Sequence, residues 1–276
     1  SLSAKVLPEK LRQLHDSPKL LYAKGNAALL DRTPIVGIVG ARKFTPYGRE
    51  VTDAIAHTLA KAGVPVVSGL ALGVDSVAHR ACVAVGGATI AVLPCGIDTI
   101  YPASHSGLAR QILDKHGLII SEYAGQGLPH KHQFIERNRI IAALSDILII
   151  TEAAENSGSL HTARFALELG KTIMAVPGQI NNPYSSGTNR LIQTGAVPLL
   201  QPEDVLDELG IVQTATLDYL PENEAEEAIL RNLQHPSSGD ELLRNTDLTA
   251  GELQTHLTML EIKGVLQISS GLWIKK

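Results

Sequence analysis

The sequence predicts a doubly wound α/β body, expanded and Rossmann-like with a mostly parallel sheet, followed by a small C-terminal winged-helix domain. Three observations carry this. From Pro34 onward, short β-branched runs bounded by Gly or Pro alternate with segments long enough for crossover helices. The runs are continuously apolar, which is what parallel strands covered by helices on both faces require. Beyond residue 210 the pattern changes, and a polar, acidic stretch leads into three helical segments and a hairpin.

Element by element, the strands are Ile35-Val-Gly-Ile-Val, Val64-Pro-Val-Val, Thr89-Ile-Ala-Val-Leu, Leu118-Ile-Ile-Ser, Ile147-Leu-Ile-Ile-Thr, Thr172-Ile-Met-Ala-Val and Val197-Pro-Leu-Leu. Helices are expected between them, for example Tyr47 to Ala62 and Gly158 to Leu169, with Pro46 and Ser157 as helix-start chemistry. Residues 1–210 form the body and 211–222 a linker, because Gln213 to Glu227 mixes polar and acidic residues with one Pro and has no sustained apolar period until Ala228. Residues 223–276 then read as a helix (Glu224 to Leu233), a short helix (Gly239 to Arg244), a helix opened by Thr249 and running to about Lys263, and a hairpin around Ser269-Ser-Gly. Three helices and a two-stranded wing make a winged helix.

The 276 residues are 44% apolar, which excludes disorder as the class and leaves enough material for sizeable cores. No run of about 18 apolar residues is present, and the first residues lack the charged and apolar regions of a signal peptide, so a cytoplasmic protein with no membrane partner is expected. The chain starts at Ser1 in place of Met, as a fragment or trimmed product with flanking domains would. Cys82 and Cys95 are too few for a disulfide framework and are expected as reduced core thiols. The ten His are scattered, and His130-Lys-His132 has no Cys or carboxylate at ligand spacing, so neither metal nor cofactor is expected.

A net charge of −4 argues against a protein that coats nucleic acid with its whole surface. The charge is uneven. Residues 1–210 carry 19 Lys and Arg against 18 Asp and Glu, whereas 211–276 carry 5 against 10, which gives +1 and −5. The acidity therefore sits in the tail.

In doubly wound sheets, ligands bind beyond the carboxyl ends of the strands. The residues there are Gly40-Ala-Arg42-Lys43, Ser68-Gly69 with Gly73-Val-Asp75, Pro94-Cys-Gly96, Asn156-Ser157-Gly158-Ser159 and Pro177-Gly178. Each loop alone is consistent with a tight strand-to-helix turn. Several on one sheet edge favour phosphate, since glycines and small hydroxyls let backbone N–H groups approach an anion and a following helix adds its dipole. Cations narrow the choice. Arg42 and Lys43 follow the first strand, and Lys131, Arg137 and Arg139, with Phe134 and Asn138 among them, precede the Ile147 strand. A mononucleotide needs one or two cations, while four or five on separate loops suit a polyanion lying across the edge. An Arg-Asn-Arg triplet is equally compatible with salt bridges to Glu136 or Glu152.

This constellation resembles the DNA-processing protein A family, DprA or Smf, over about Pro18 to Leu209. The resemblance rests on Leu20 to Asn26, Ile38-Val-Gly-Ala-Arg-Lys43 with Thr45-Pro-Tyr-Gly48, Val67 to Asp75 with Ala78-His79, Thr89 to Pro102, Ile120-Ser-Glu122, Phe134 to Ser145, Ser157 to Ala163 and Ala175-Val-Pro-Gly178. It implies a non-enzymatic protein that binds single-stranded DNA, protects it during natural transformation in competent bacteria and hands it to the RecA recombinase, acting as a homodimer. It further implies that Arg42 and Lys131 contact phosphates, that Phe134 lies near bases, and that the Ser68-Gly69 and Asn156 to Ser159 turns supply backbone donors; Gly40, Lys43, Arg137, Asn138 and Arg139 complete the expected DNA site by position and charge. Leu72 stands where the family often has Arg or Lys, which implies one phosphate contact fewer, and His161 stands where a smaller residue is common. With aromatics at 4% of the chain, binding is expected to rest mainly on phosphates.

The rival class is a nucleotide-processing enzyme, since Ser157-Gly-Ser-Leu-His-Thr162 is similar to a degraded phosphoribohydrolase signature. Against it, Phe165 falls where the catalytic Glu belongs and His161 replaces a required Gly. Glu122 and Glu152 read as salt-bridge partners of nearby arginines rather than as an acid and base. Gly37-Ile-Val-Gly40 lacks a dinucleotide fingerprint. In the tail, the third helix carries Glu252, Glu261, Lys263 and His256, a poor set for phosphates, and a protein-contact or autoregulatory role is expected for that domain.

Overall fold

The computed structural model describes residues 2–3, 7–211, 219, 221–233, 235–269 and 271–275. The chain divides into two compact units, Ser1–Ile211 and Val212–Lys276. Nine strands form one sheet in the first: β1 (Leu2–Ser3), β2 (Leu20–Gly25), β3 (Val36–Val39), β4 (Val66–Ser68), β5 (Thr89–Gly96), β6 (Leu118–Tyr123), β7 (Ile147–Ile150), β8 (Thr172–Ala175) and β9 (Val197–Pro198). The helices are α1 (Glu9–Arg12), α2 (Pro46–Lys61), α3 (Val74–Ala84), α4 (Ser106–Asp114), α5 (Lys131–Leu144), α6 (Ser159–Glu168), α7 (Ser186–Gln193) and α8 (Asp204–Glu208).

The order across the sheet is β1-β2-β6-β5-β4-β3-β7-β8-β9, with β1 and β2 antiparallel and all pairs from β6 to β9 parallel. The chain runs outward from β3 to β6 and then returns to lay β7 on the other side of β3. Loops after β3 and β7 therefore leave in opposite directions and open a crevice between them, the switch point of a doubly wound sheet.

All seven strands expected from the apolar runs form. Their continuous apolarity has a two-faced cause. Ile35, Val39, Leu148 and Ile150 pack with α5 and α6 on one face, while the intervening Val36, Ile38, Ile147 and Ile149 pack with α2 and α3 on the other. Residues β5 and β6 turn to the second face, among them Ala91, Leu93 and Ile119, meet α4. The antiparallel β1 and β2 were not expected. Leu20–Gly25 buries only Leu21 fully and ends on Lys24 and Gly25, so its pattern is that of an edge ribbon, visible only through its pairing with β6. Both cysteines are unpaired and buried, and burial pushes the Cys82 thiol up to about 12. Among the described residues no helix is long and apolar enough to cross a membrane.

The second unit comprises α9 (Glu224–Asn232), α10 (Gly239–Asn245), α11 (Ala250–Ile262) and the hairpin β10 (Leu266–Ser269) to β11 (Leu272–Lys275), a winged helix with the elements expected. Its core gathers Ile229, Leu242, Leu253, Leu257, Leu260 and Trp273. Ser238 with Glu241 and Thr249 with Glu252 form capping boxes that start α10 and α11. Most of the linker assigned to 211–222 lies outside the described residues.

Candidate functional site

At the crevice between β3 and β7 lies a cleft of about 400 Å³. One wall is the turn after β3, with Gly40, Arg42 and Lys43. The opposite wall is the turn after β7, with Asn156, Ser157, Gly158 and Ser159. Along the side, α5 contributes Phe134, Arg137 and Asn138. These residues, remote in sequence, line one cavity. Of the other residues expected there, Ser68, Gly69, Lys131 and Arg139 do not line it.

The turn after β3 is held from below. Glu152, almost wholly buried just after β7, accepts hydrogen bonds from the Thr45 amide at 2.9 Å and the Thr45 hydroxyl at 2.6 Å. Its partner is thus Thr45 and not an arginine. Thr45 also caps α2, whose first residue is Pro46. The Ala41 amide donates to the Glu152 carbonyl at 2.7 Å. This clamp leaves Arg42 and Lys43 exposed at the cleft mouth, with no carboxylate in salt-bridge reach among the described residues. The amides of Arg42, Lys43, Asn156 and Gly158 take no partner among the described residues, so they remain available as donors.

Arg137 differs from the sequence expectation. It reaches the cleft wall, yet the residue is only 5% exposed. Its Nη1 donates to the Gly69 carbonyl at 2.6 Å and to the Val92 carbonyl, and its Nε donates to Asn138 Oδ1 at 3.2 Å. Burial lowers its pKa to about 10, against the pull of Asp75. It stays cationic at neutral pH but forms the floor of the site and not its rim. Asp75, whose carboxyl burial pushes up despite Arg137 beside it, accepts from the Gly69 amide at 3.1 Å and the Ala71 amide at 3.4 Å.

Two further expectations need correction. The Ser68-Gly69 turn does not offer its Gly69 amide as expected, because that amide is bound to Asp75 at 3.1 Å, and the Ser68 hydroxyl donates to the Ile38 carbonyl at 2.6 Å. Arg139 points elsewhere, donating from Nη2 to Glu122 at 2.7 Å, so Glu122 is its salt-bridge partner as read, while Glu136 instead accepts from the Tyr123 hydroxyl. Lys131 is the exposed first residue of α5, one turn ahead of Phe134 and outside the cleft lining. Phe134 is half-buried, with the Arg42 guanidinium carbon 4.9 Å from its ring centroid.

The glycines in this region are set by close approach. A Cβ on Gly69 would lie 2.4 Å from the Arg137 guanidinium, and one on Gly73, where φ is 92°, would lie 2.2 Å from the Ala41 carbonyl oxygen. Behind the floor, His79 is fully buried with Nδ1 2.7 Å from the Thr89 hydroxyl and Nε2 unpartnered. Burial, then Arg137 and His105, draw its pKa down to about 3. Asp75, Thr162 and Tyr184 also line the cleft; Asp75 and Thr162 lie in stretches whose pattern pointed there, and Tyr184 does not. Asp75 is the one carboxylate among the lining residues described, against Arg42, Lys43 and Arg137. No cluster of three or more His, Cys, Asp or Glu able to hold a metal occurs among the described residues. Phe165 packs against the sheet core, and His161 is exposed outside the lining.

Comparison with known proteins gives a consistent picture. The family model for DNA recombination-mediator protein A matches residues 2–210, and that for the DprA winged helix domain matches 213–271. The DNA processing protein DprA of Bacillus subtilis (strain 168) is 40% identical over 208 residues, covering 75% of this chain and 70% of its own. Protein Smf of Escherichia coli (strain K12) is 41% identical over 202 residues, which is 73% of this chain and 54% of that protein. Among solved structures, DNA processing protein A from Streptococcus pneumoniae superposes with a TM-score of 0.68 at 39% identity, covering 73% of this chain and 70% of that one. The protein of the same name from Helicobacter pylori, described for its single-stranded DNA binding mode, gives 0.68 at 38% identity, covering 73% and 92%.

Two outcomes follow for the floor of the site. Gly69→Ala should destabilise the fold by about 3 kcal/mol in urea denaturation, because it displaces a buried hydrogen-bonded guanidinium, whereas Gly107→Ala, where a Cβ meets nothing within 4 Å, should be near neutral. For His79, the folded ring stays neutral where an unfolded one, at 6.5, gains a proton, so the unfolded state binds more protons between about pH 6.5 and pH 3 and stability falls as pH drops through that window. Asp75 acts with opposite sign from 3.8 upward, so a comparison isolates the histidine. Denaturation midpoints of wild type should fall from about pH 7 to pH 5, and His79→Gln should flatten that fall.

Proposed function

Since the chain belongs to the DNA recombination-mediator protein A family, we propose that it binds single-stranded DNA in the cleft between β3 and β7 and acts as a recombination mediator, without an enzymatic step. It would protect incoming strands during natural transformation and help load the RecA recombinase, working as a cytoplasmic homodimer. In this reading 1–210 is the binding body, 211–222 a linker and 223–276 the winged-helix module.

The observation that carries the reading is the pairing of free cations with free amides on one sheet edge. Arg42 and Lys43 stand exposed over the cleft, and the facing turns carry unpartnered amides at the same cleft. Phosphate oxygens of a strand would sit between them, and Lys131, exposed at the start of α5, would meet the strand farther along. Arg137 contributes as a fixed positive charge behind the floor and holds the turns in place. Glu122 and Glu152 are bound to Arg139 and Thr45 and do not line the cleft, and Asp75, which does, accepts from the Gly69 and Ala71 amides.

The winged-helix module reads as a contact or regulatory surface. Lys263, just past α11, is paired with Glu222 at 2.8 Å and Glu226 at 3.0 Å, so that cation is neutralised within the unit. The acidic surplus of 211–276 would repel a phosphate backbone.

Arg42→Ala and Lys131→Ala should each weaken binding of a labelled oligonucleotide and flatten its salt dependence by about 0.7 in the log–log slope, the loss of one phosphate contact. Unchanged gel-shift affinity in both variants would refute this placement of the strand. Truncation after residue 210 should leave single-strand affinity within a few-fold of the full chain, and a large loss would mean that the tail contacts DNA.

A further inference from the structure

Three aromatic rings stand exposed among the described residues, Phe44, Tyr47 and Tyr101, at 36%, 44% and 41% exposure. All three lie on the same sheet edge as the cleft: Phe44 and Tyr47 follow Lys43 into α2, and Tyr101 follows β5. A single exposed ring needs no explanation, but gathering all of them at one edge of a protein this poor in aromatics does.

Their surroundings differ. The Tyr47 hydroxyl donates to the Pro177 carbonyl at 2.9 Å, which fixes that ring over the β8 side. Tyr101 meets Phe134 edge to face, with centroids 5.8 Å apart and planes at 70°. Phe134 in turn lies under Arg42, whose guanidinium carbon is 4.9 Å from the ring centroid. Phe134 is thus occupied by Arg42 over its face and by Tyr101 beside it, and it is half-buried. Tyr101 is more open to solvent, and its hydroxyl makes no hydrogen bond among the described residues.

The geometry points to Tyr101 as the ring on which a base of the bound strand stacks, with Phe134 as the brace that sets both Tyr101 and Arg42. The proposal rests on the single-stranded DNA reading above and deepens it. It assigns the phosphate to Arg42, the base to Tyr101 and the registration of the two to Phe134, an arrangement that serves any sequence because every base has a π-face. It also places the aromatic contribution on a residue distant in sequence from the Lys131 to Arg139 segment that it touches through Phe134.

The test uses the full chain and two end-labelled strands of equal length, oligothymidylate and its abasic analogue, which carry the same phosphates. Wild type should prefer the base-bearing strand by roughly five- to tenfold, the effect of one stacked base. In Tyr101→Ala that preference should collapse toward one, and Tyr101→Phe should restore it. Tyr101→Trp gives an independent readout: its emission should be quenched by oligothymidylate and not by the abasic strand. Wild type that binds both strands equally, Tyr101→Ala that keeps the preference, or Tyr101→Trp emission indifferent to bases would overturn the stacking assignment alone. Wild type that binds neither strand would overturn the single-stranded DNA reading, and the stacking with it.

Discussion

The site depends on one buried cation. Arg137 reaches from α5 to the Gly69 carbonyl just past β4 and the Val92 carbonyl within β5, and Asp75 holds the same turn through the Gly69 and Ala71 amides. A guanidinium has five donors in a rigid fork against three on an ammonium, so it holds the two carbonyls and Asn138 in a fixed relative geometry. Burying it is unfavourable, and the hydrogen bonds offset that only while every partner stays in position. The glycine at 69 follows directly, since any side chain there would occupy the space of the guanidinium. Through this contact the crossing of α5 over the sheet is fixed, and with it the position of Phe134 beside Arg42.

That arrangement divides the positive charges of the region by role. Arg137 and Arg139 are held by the protein itself, one by carbonyls and one by Glu122, whereas Arg42, Lys43 and Lys131 stand at the surface. A net charge of −4 is therefore no obstacle to binding a polyanion, because the local field at the cleft comes from a few unneutralised groups. Glu152 serves the same end by an indirect route. Its carboxylate is saturated by Thr45, so it anchors the cationic turn without lining the cleft.

Much of the fold could be read from the chain. The seven core strands declared themselves because both of their faces are buried, and α11 because its cap, Thr249 with Glu252, sits where the apolar period starts. Leu20–Gly25 escaped notice because its strand character comes from pairing with β6 and not from its own composition. At the site, the strand-end turns were legible, but the state of the arginines was not. Residues 137, 138 and 139 leave a helix about 100° apart, so three adjacent polar side chains face three different environments. Whether each meets solvent, a carbonyl or a carboxylate is decided by neighbours distant in sequence. Tyr101 was hidden for the same reason, since nothing near it in the chain announces Phe134.

The central claim is that a polymer's phosphates are gripped by a few surface cations and amides at one sheet edge. It is tested most directly by titrating the wild-type chain with labelled single-stranded and duplex oligonucleotides at two salt concentrations. The account predicts tighter binding of the single strand, with log affinity falling against log salt at a slope of about −2, as three phosphate contacts by Arg42, Lys43 and Lys131 would give. Affinity indifferent to salt, or duplex bound as tightly as single strand, would contradict it.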